Sequence, residues 1–255
     1  SLKARIVRIV ITAFLRLSSC SQKVSLIVQN QDDLRLMQSF GFKEDKNLFL
    51  IRGSGVDALK FSPAIEQKQH QKITFVGRML WAKGVREIAE AGRILKEKKK
   101  PYQIQLVGDP DEGNPQSADQ NEIDHWHAKG WITYLGRRSD IVTIYQNSDI
   151  ALLPSWREGL PKSLLEAASC GLAMIATDVE GCREIVKHGE NGLLVPKENA
   201  LAIADAIEIL MENQELRLKM GRNARKMIED ELNEDVISEK TVNLFKVLLE
   251  NYIKR

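Results

Sequence analysis

The 255-residue sequence has little cysteine, no long apolar run and almost no net charge. Its three cysteines, Cys20, Cys170 and Cys182, form neither a metal-type pair nor a disulfide framework, which indicates a reducing, cytoplasmic setting. The formal net charge of +2 argues against nucleic acid as a partner. The hydrophobic fraction of 43% is large enough for a buried core, so the composition is typical of a globular protein.

Two common nucleotide-binding motifs are also missing. The chain contains no G-x-G-x-x-G and no G-x-x-x-x-G-K-[ST], which disfavours a dinucleotide-dependent dehydrogenase and a P-loop NTPase. Candidate metal ligands are poorly arranged, because His125 and His127 stand two positions apart on a predicted helix. Asp109-Pro-Asp111 falls in a polar loop, and we interpret it as an ordinary loop segment. We therefore predict no metal site.

An apolar segment near the N-terminus, residues 4–17 (ARIVRIVITAFLRL), is interrupted by Arg5, Arg8 and Arg16. It is too short to span a membrane as a helix, and no small-residue cleavage site follows it. The favoured interpretation is a helix packed into the protein. The alternative is a basic, apolar helix in peripheral contact with the inner face of a membrane.

The chain after a polar segment from Ser62 to Lys72 alternates between short apolar runs and stretches of helical periodicity. The polar segment predicts a linker. Six strands are predicted after it, at 73–76, 102–107, 132–134, 150–153, 173–176 and 192–195. This alternation predicts an α/β fold with a Rossmann-like, doubly wound parallel sheet, whose ligand site lies at the carboxyl ends of the strands. The residues before the linker supply only two strands and two helices, which predicts a small, truncated α/β piece.

The loop after the first of these six strands carries two cations. It reads Gly77-Arg-Met-Leu-Trp-Ala-Lys83-Gly84, and Gly77 allows a ligand to approach the backbone closely. Arg78 offers a planar fork for phosphate oxygens, and Lys83 offers a mobile point charge. Two such cations suit a diphosphate, and the alternative is an ordinary basic surface loop.

The loop after the strand at 150–153 leads into a predicted helix over Lys162 to Ser169. Pro161 suits the first turn of that helix, whose N–H groups and positive dipole end favour an anion. Glu158 before the helix and Glu166 on it are able to lie on the same side. Carboxylates beside a phosphate site suit sugar and ribose hydroxyl groups, and the alternative is a pair of surface glutamates.

Five stretches together resemble a known family. Glu158 to Glu166 matches the E-x7-E motif of retaining glycosyltransferases of the GT-B fold, and the remaining four resemble family 4 of these enzymes. Those four are Gly55-Val-Asp57 with Phe61-Ser-Pro63, Phe75-Val-Gly-Arg78 with Lys83-Gly84, Leu135-Gly136-Arg137, and Gly181 to Val186 with Gly189 and Asn191-Gly-Leu-Leu-Val195. They occur in order and cover roughly residues 45 to 230, so the chain is identified as resembling the nucleotide-sugar-binding domain of a GT-B enzyme.

The resemblance implies roles for individual residues. Arg78 and Lys83 would hold the donor diphosphate, and Glu158 would contact the transferred sugar, so these three are the expected catalytic residues. Glu166 would bind the ribose. The remaining donor-binding positions implied are Gly77, Gly136, Arg137, Gly159, Leu160, Pro161 and Ser163, with Gly136 and Arg137 bordering the base. Neither a metal nor another cofactor is implied.

The resemblance also divides the chain and suggests its reaction. Residues 1–60 would be the remnant of an acceptor-side domain, 61–235 the donor-binding domain and 236–255 a crossover helix. The reaction implied is transfer of a hexosyl unit, with retention, from a nucleotide sugar (UDP being the expected nucleotide) to a saccharide or lipid-linked acceptor. Because the first part is truncated, the chain alone is expected to bind donor but to transfer poorly. Two alternatives stay open: a GT-B-like sugar-nucleotide epimerase, and a non-catalytic binding module completed by a separate chain.

Overall fold

The structure, a computed structural model, describes residues 2–21, 23–65 and 70–253. The chain divides into two compact units. The smaller unit contains the residues up to Gly55 and those from Asp235 onward, and the larger unit is Val56–Glu234. Part of the predicted linker, residues 66–69, lies outside the described residues.

The division after Gly55 falls upstream of the predicted linker. The segment that follows Gly55 belongs to the larger unit because its backbone is hydrogen-bonded there. The Phe61 carbonyl accepts from Ser169 Oγ at 2.6 Å and from Arg225 Nη1 at 2.9 Å, and the Phe61 side chain is buried. Arg225 Nη1 also donates to the Ala58 carbonyl at 3.0 Å. These bonds fix residues 58–61 against the larger unit.

Regular elements occupy most of the described chain. The strands are β1 Leu26–Val28, β2 Leu48–Leu50, β3 Lys72–Val76, β4 Gln103–Val107, β5 Thr133–Gly136, β6 Ile150–Leu153, β7 Ala173–Thr177 and β8 Gly192–Val195. The helices are α1 Leu2–Ser19, α2 Gln31–Ser39, α3 Val85–Glu97, α4 Gln120–Ala128, α5 Ile141–Gln146, α6 Lys162–Ser169, α7 Glu180–Ile185, α8 Ala200–Glu212, α9 Gln214–Met227 and α10 Glu234–Ile253. A short 3-10 turn at Trp81–Lys83 and a π-helical turn at Ile228–Leu232 complete the set.

The smaller unit has its own small core. Its two strands, β1 and β2, pair in parallel, and the core consists of Val28, Leu34, Phe42 and Leu48. Helix α2 begins at a capping residue, Asn30, whose side chain accepts the Asp33 N–H at 2.7 Å. The parallel pairing of β1 and β2 matches the order predicted for an α/β piece, because a helix separates the two strands.

Helix α1 does not meet the favoured prediction of a packed helix. Near its C-terminal end, Leu15 packs against the core and Ser19 Oγ donates to the Phe40 carbonyl at 3.0 Å. Other large apolar side chains along the whole helix are exposed: Ile6, Val7, Ile9, Val10, Ile11, Phe14 and Leu17. Among the described residues, no helix is both long enough and apolar enough to cross a membrane.

The larger unit contains the predicted parallel sheet. Six strands lie in the order β5-β4-β3-β6-β7-β8, and every neighbouring pair is parallel. The first strand of the unit, β3, lies at the centre, with the chain winding outward first through β4 and β5 and then through β6, β7 and β8. This is the doubly wound order, so the predicted fold class is confirmed. Large side chains of the inner strands, such as Phe75, Leu106 and Ile175, are fully buried.

Candidate active site at the sheet crossover

The strand order reverses between β3 and β6. These two central strands are neighbours, with Ile73 opposite Ile150 and Thr74 opposite Ala151. The loop after β3 and the loop after β6 therefore leave the same edge of the sheet side by side, and a doubly wound sheet binds its ligands in such a crevice. The sequence-predicted cation loop is the first of these, and the segment that contains Glu158 is the second.

The two crevice loops touch through their backbones. The Trp156 N–H donates to the Ala82 carbonyl at 2.8 Å. Gly84 adopts a φ of 76°, and a Cβ there would lie 2.3 Å from the Pro154 carbonyl oxygen. Only glycine fits both the left-handed backbone and this approach. The close packing of the loops places Lys83 directly beside the second loop.

Lys83 and Glu158 form an ion pair across the crevice. The Lys83 Nζ lies 2.5 Å from Glu158 Oε1, and the two side chains are 27% and 10% exposed. A carboxylate so largely withdrawn from solvent is held by its partner cation, because ionised groups are rarely buried unpaired. The structure thus brings together two of the three residues that the sequence analysis predicted to be catalytic.

Helix α7 closes the crevice from the side of β7. It begins at Glu180, three residues before the predicted start, so that Gly181 lies within it. A Cβ on Gly181 would lie 2.3 Å from the Gly159 carbonyl oxygen and 2.6 Å from that of Glu158. The helix therefore rests directly on the backbone of the Glu158 loop. Next to it, Cys182 is fully buried, and burial, together with the charge of Glu158, raises the pKa of its thiol to about 12.

Helix α6 points its N-terminus into the same region. Pro161 is the N-cap residue, one position before the predicted first turn, and its carbonyl accepts the Leu164 N–H at 3.1 Å. Lys162 and Ser163 open the helix, and N–H groups at such positions lack partners within the helix. The Tyr145 hydroxyl donates to the Ser163 carbonyl at 3.0 Å, which fixes this first turn. Gly159, which is exposed, and Leu160, which is half-buried, connect Glu158 to the cap.

Glu166 lies one turn further along α6 and is half-buried. Burial raises the pKa of its carboxyl, and the positive charges of Lys162 and Lys60 oppose that rise. A partly desolvated carboxylate is a strong hydrogen-bond acceptor, which suits hydroxyl groups better than phosphate.

Arg78 has a different partner from Lys83. Its side chain is 66% exposed, and its Nη1 lies 2.9 Å from Oδ2 of Asp111. Asp111 belongs to the polar loop between β4 and α4, which the sequence analysis interpreted as an ordinary loop. The two aspartates of Asp109-Pro-Asp111 were the sequence feature that hinted at a partner for Arg78. Only the folded chain shows that their loop lies against the cation loop.

Gly77, Gly136 and Arg137 lie at the same edge of the sheet. The Gly77 N–H donates to the Val107 carbonyl at 2.9 Å, and the Gly136 carbonyl accepts the Gly108 N–H at 2.8 Å. Gly136 ends β5 with a φ of 62°, and Arg137 after it is exposed. The turn predicted to border a base therefore lies two strands away from the crossover, beyond β4. Within the described ranges, no three His, Cys, Asp or Glu residues are grouped so as to hold a metal.

The sheet order and the crossover site define a class of protein: the fold is that of the GT-B glycosyltransferases. The family model for glycosyl transferases group 1 matches residues 57–227. The chain belongs to this family, which confirms the resemblance found in the sequence.

Two curated relatives illustrate the similarity. The N,N'-diacetylbacillosaminyl-diphospho-undecaprenol alpha-1,3-N-acetylgalactosaminyltransferase of Campylobacter jejuni is 33% identical over 264 residues, covering 98% of this chain and 67% of the relative. The capsular polysaccharide biosynthesis glycosyltransferase CapM of Staphylococcus aureus is 28% identical over 81% of this chain and 57% of its own length. The chain thus spans about two thirds or less of the relatives it matches.

Two solved structures share the fold. HepE of Anabaena in complex with UDP superposes with a TM-score of 0.78 at 18% identity, over 92% of this chain and 68% of that one. The C-terminal domain of the group 1 glycosyl transferase LpcC of Francisella tularensis superposes with a TM-score of 0.60 at 27% identity. That comparison covers 70% of this chain and 99% of the domain, so a domain solved on its own matches most of this chain.

Proposed function

We propose that this chain is the donor-binding part of a retaining, family 4 glycosyltransferase that transfers a hexosyl unit from a nucleotide sugar. UDP is the proposed nucleotide, and the proposed acceptor is a saccharide or a lipid-linked saccharide. The observation that carries the proposal is the Lys83–Glu158 pair at the crossover between β3 and β6. It joins the cation loop to the E-x7-E segment in the crevice where doubly wound sheets bind ligands.

In the proposed binding mode, cationic groups of the crevice bind the diphosphate and carboxylates bind the hydroxyl groups of the sugar and the ribose. Arg78, Lys83 and the N-terminus of α6 face the diphosphate, because cations and helix N–H groups stabilise anions. Glu158 faces the transferred sugar and Glu166 the ribose, because carboxylates accept hydrogen bonds from hydroxyl groups. The backbone of Gly77 and of residues 159–161 and 163 lines the donor.

The base would be bordered by Gly136 and Arg137, two strands away from the crossover. Because a nucleoside diphosphate is an extended ligand, the spread of these residues over neighbouring strand ends suits its length. The UDP in the HepE complex, bound by a protein of the same fold, agrees with this choice of nucleotide.

The proposed catalysis depends on stabilising the negative charge of the leaving group. Breaking the bond between the sugar and the diphosphate leaves negative charge on the departing phosphate. Fixed cations and N–H groups aimed at that charge lower the barrier, and a single such donor is worth about 3 kcal/mol. In this proposal Arg78, Lys83 and the first turn of α6 supply the stabilisation.

The acceptor is proposed from the relatives. The Campylobacter jejuni protein carries a diphospho-undecaprenol acceptor in its name, and CapM is named for capsular polysaccharide. Because the chain spans only part of these proteins, the acceptor site is assigned to the portion of the relatives that this chain does not cover. The residues before Gly55 and α10 are proposed to be the part of the acceptor-side domain that this chain contains.

A calorimetric titration with UDP-, GDP- and ADP-sugars tests the donor site. We expect one UDP-sugar to bind, and Arg78→Ala and Glu166→Ala to weaken it by about tenfold, the equivalent of about 1.4 kcal/mol. Arg93→Ala is the charge-matched control, since Arg93 pairs with Glu90 and Glu97 on α3 and should leave binding unchanged. Absence of binding by every nucleotide sugar, or unchanged binding by both site variants, would contradict the assignment.

Analysis of the products after the titration separates the two alternatives. If chromatography shows that the bound UDP-sugar has been converted to an epimer, an epimerase is favoured. Binding without either conversion or hydrolysis, with transfer only after a separate chain is added, would favour a binding module.

We also propose that α1 lies against an anionic membrane surface. Spacing along the helix places Arg5, Arg8 and Arg16 on one stripe. Most of the exposed apolar side chains lie on the opposite side, whereas Ile9 lies beside the arginines and Lys3 lies among the apolar side chains. An apolar face flanked by arginines suits the boundary between headgroups and acyl chains. Co-sedimentation with vesicles containing phosphatidylglycerol should fall when Phe14 is changed to Glu. It should not change for Leu201→Glu, which alters an exposed leucine of α8; failure of the unaltered chain to sediment refutes the proposal.

A further inference from the structure

Both cations assigned to the diphosphate face a carboxylate in this structure. Lys83 is paired with Glu158, which has its own place in the proposed sugar site. Arg78 is paired with Asp111, which has none. The positive charge that should attract a diphosphate is therefore already neutralised at Arg78 by a residue that contributes nothing else to the site described above.

Asp111 is held in place by its own loop. Its N–H donates to Ser117 Oγ at 2.9 Å, and its Oδ2 accepts from Asn114 Nδ2 at 3.0 Å. The carboxylate that faces Arg78 is thus a fixed group, whereas the arginine side chain is long and largely exposed.

The loop of Asp111 is also fastened to the cation loop. The Met79 N–H donates to the Asp109 carbonyl at 3.0 Å, and the Met79 carbonyl accepts the Ala118 N–H at 2.7 Å. Two residues further along the cation loop, the Trp81 N–H donates to the Gln116 carbonyl at 2.8 Å. Both ends of the acidic loop are therefore bonded to the cation loop, and these bonds hold Asp111 beside Arg78.

From this arrangement we infer that Asp111 competes with the donor diphosphate for Arg78. Carboxylate and phosphate oxygens accept the same hydrogen bonds from a guanidinium group, so the two anions exchange at Arg78. The donor draws the arginine away from Asp111, and Asp111 takes it back when the nucleoside diphosphate leaves. This inference rests on the proposed function, since it requires Arg78 to bind the diphosphate.

Asp111→Asn keeps the size of the side chain and removes its charge. Since an exposed ion pair contributes at most about 1 kcal/mol, we expect the variant to bind UDP about two- to fivefold more tightly in calorimetry. Stopped-flow measurement should show UDP leaving the variant more slowly by a similar factor. Asp32→Asn is the matched control, because Asp32 pairs with Arg35 at nearly the same exposure but belongs to the smaller unit, which contains none of the proposed donor-site residues. This change should leave UDP affinity unchanged.

Unchanged or weaker UDP binding by Asp111→Asn overturns the inference, and weaker binding would mean that Asp111 orients Arg78 for the phosphate instead. The gain must also depend on Arg78, so the double variant with Arg78→Ala should bind UDP no better than Arg78→Ala alone. A gain that persists without Arg78 would reflect general charge repulsion and also overturns the inference. The proposed function fails separately, if Arg78→Ala and Glu166→Ala both leave UDP affinity unchanged.

Discussion

Replacing Gly181 with alanine tests whether α7 sets the position of the Glu158 loop. Gly181 lies in a helix and has an ordinary backbone conformation, so helix propensity alone predicts a gain of about 1 kcal/mol. The added Cβ would, however, lie 2.3 Å from the Gly159 carbonyl oxygen, whereas real Cβ contacts are essentially never under 3.0 Å. The loop must therefore retreat by about 0.7 Å, the difference between these two distances.

The destabilisation caused by the steric clash with the backbone is larger than the gain in helix propensity. Forced shifts of this kind cost about 1–3 kcal/mol, and two backbone oxygens are displaced here, so we expect the upper end. Subtracting the propensity gain leaves a net loss of about 2 kcal/mol. For a domain of this size, that loss lowers the Tm by about 4–8 °C in thermal unfolding followed by circular dichroism.

A matched variant separates lost stability from a displaced site. Gly221 is also helical, and a Cβ there would lie 2.1 Å from the Gly171 carbonyl oxygen, away from the crevice loops. We expect Gly221→Ala to lower the Tm similarly and to leave UDP affinity intact below the transition. Gly181→Ala should lower both, with affinity falling about tenfold. A Gly181→Ala protein with unaltered stability, or with normal affinity, would show that α7 does not position the loop.

Three further outcomes are expected. Arg217→Met should destabilise the larger unit by about 3 kcal/mol in urea unfolding, because the buried Asp149 carboxylate, 3.5 Å away, loses its cation and keeps the N–H groups of His70 and Lys72 as partners. Under native conditions at pH 8, only the exposed Cys20 should react with Ellman's reagent, because burial raises the pKa of the other two thiols to about 12; all three should react in denaturant. The raised pKa of Glu166 means that the native state loses stability as the pH rises from the ordinary value of 4.5 through the native value, since the unfolded chain ionises first. Glu166→Gln should remove that slope from urea unfolding measured across this pH range.

The local pattern of the sequence determined the secondary structure of the larger unit. Apolar runs such as Ile150–Leu153 are strands with the predicted bounds, because a strand buried on both faces needs an unbroken apolar run. Alternation of strands with helices then leaves few topologies, since parallel strands need a crossover connection. The loops expected to carry chemistry therefore followed from the chain order, and the E-x7-E segment identified the family.

The tertiary structure decided which charged groups meet. Lys83 contacts Glu158 across 75 positions of sequence, and Arg78 contacts Asp111 across 33. No local pattern encodes such a pair, because its geometry depends on how two loops leave neighbouring strands. For the same reason Asp109-Pro-Asp111 looked like an ordinary loop until the fold placed it against Arg78.

The exposure of α1 is the other property that only the fold decided. Its apolar sequence favours burial, since apolar surface is costly in water. Burial nevertheless requires a partner surface, and Leu15 packs on the core of its unit whereas Phe14 and Leu17 beside it stay exposed. The sequence thus determined which segments form helices, strands and a donor-site motif. The three-dimensional packing determined which charges pair and which apolar faces are covered, because both depend on residues far apart in the chain.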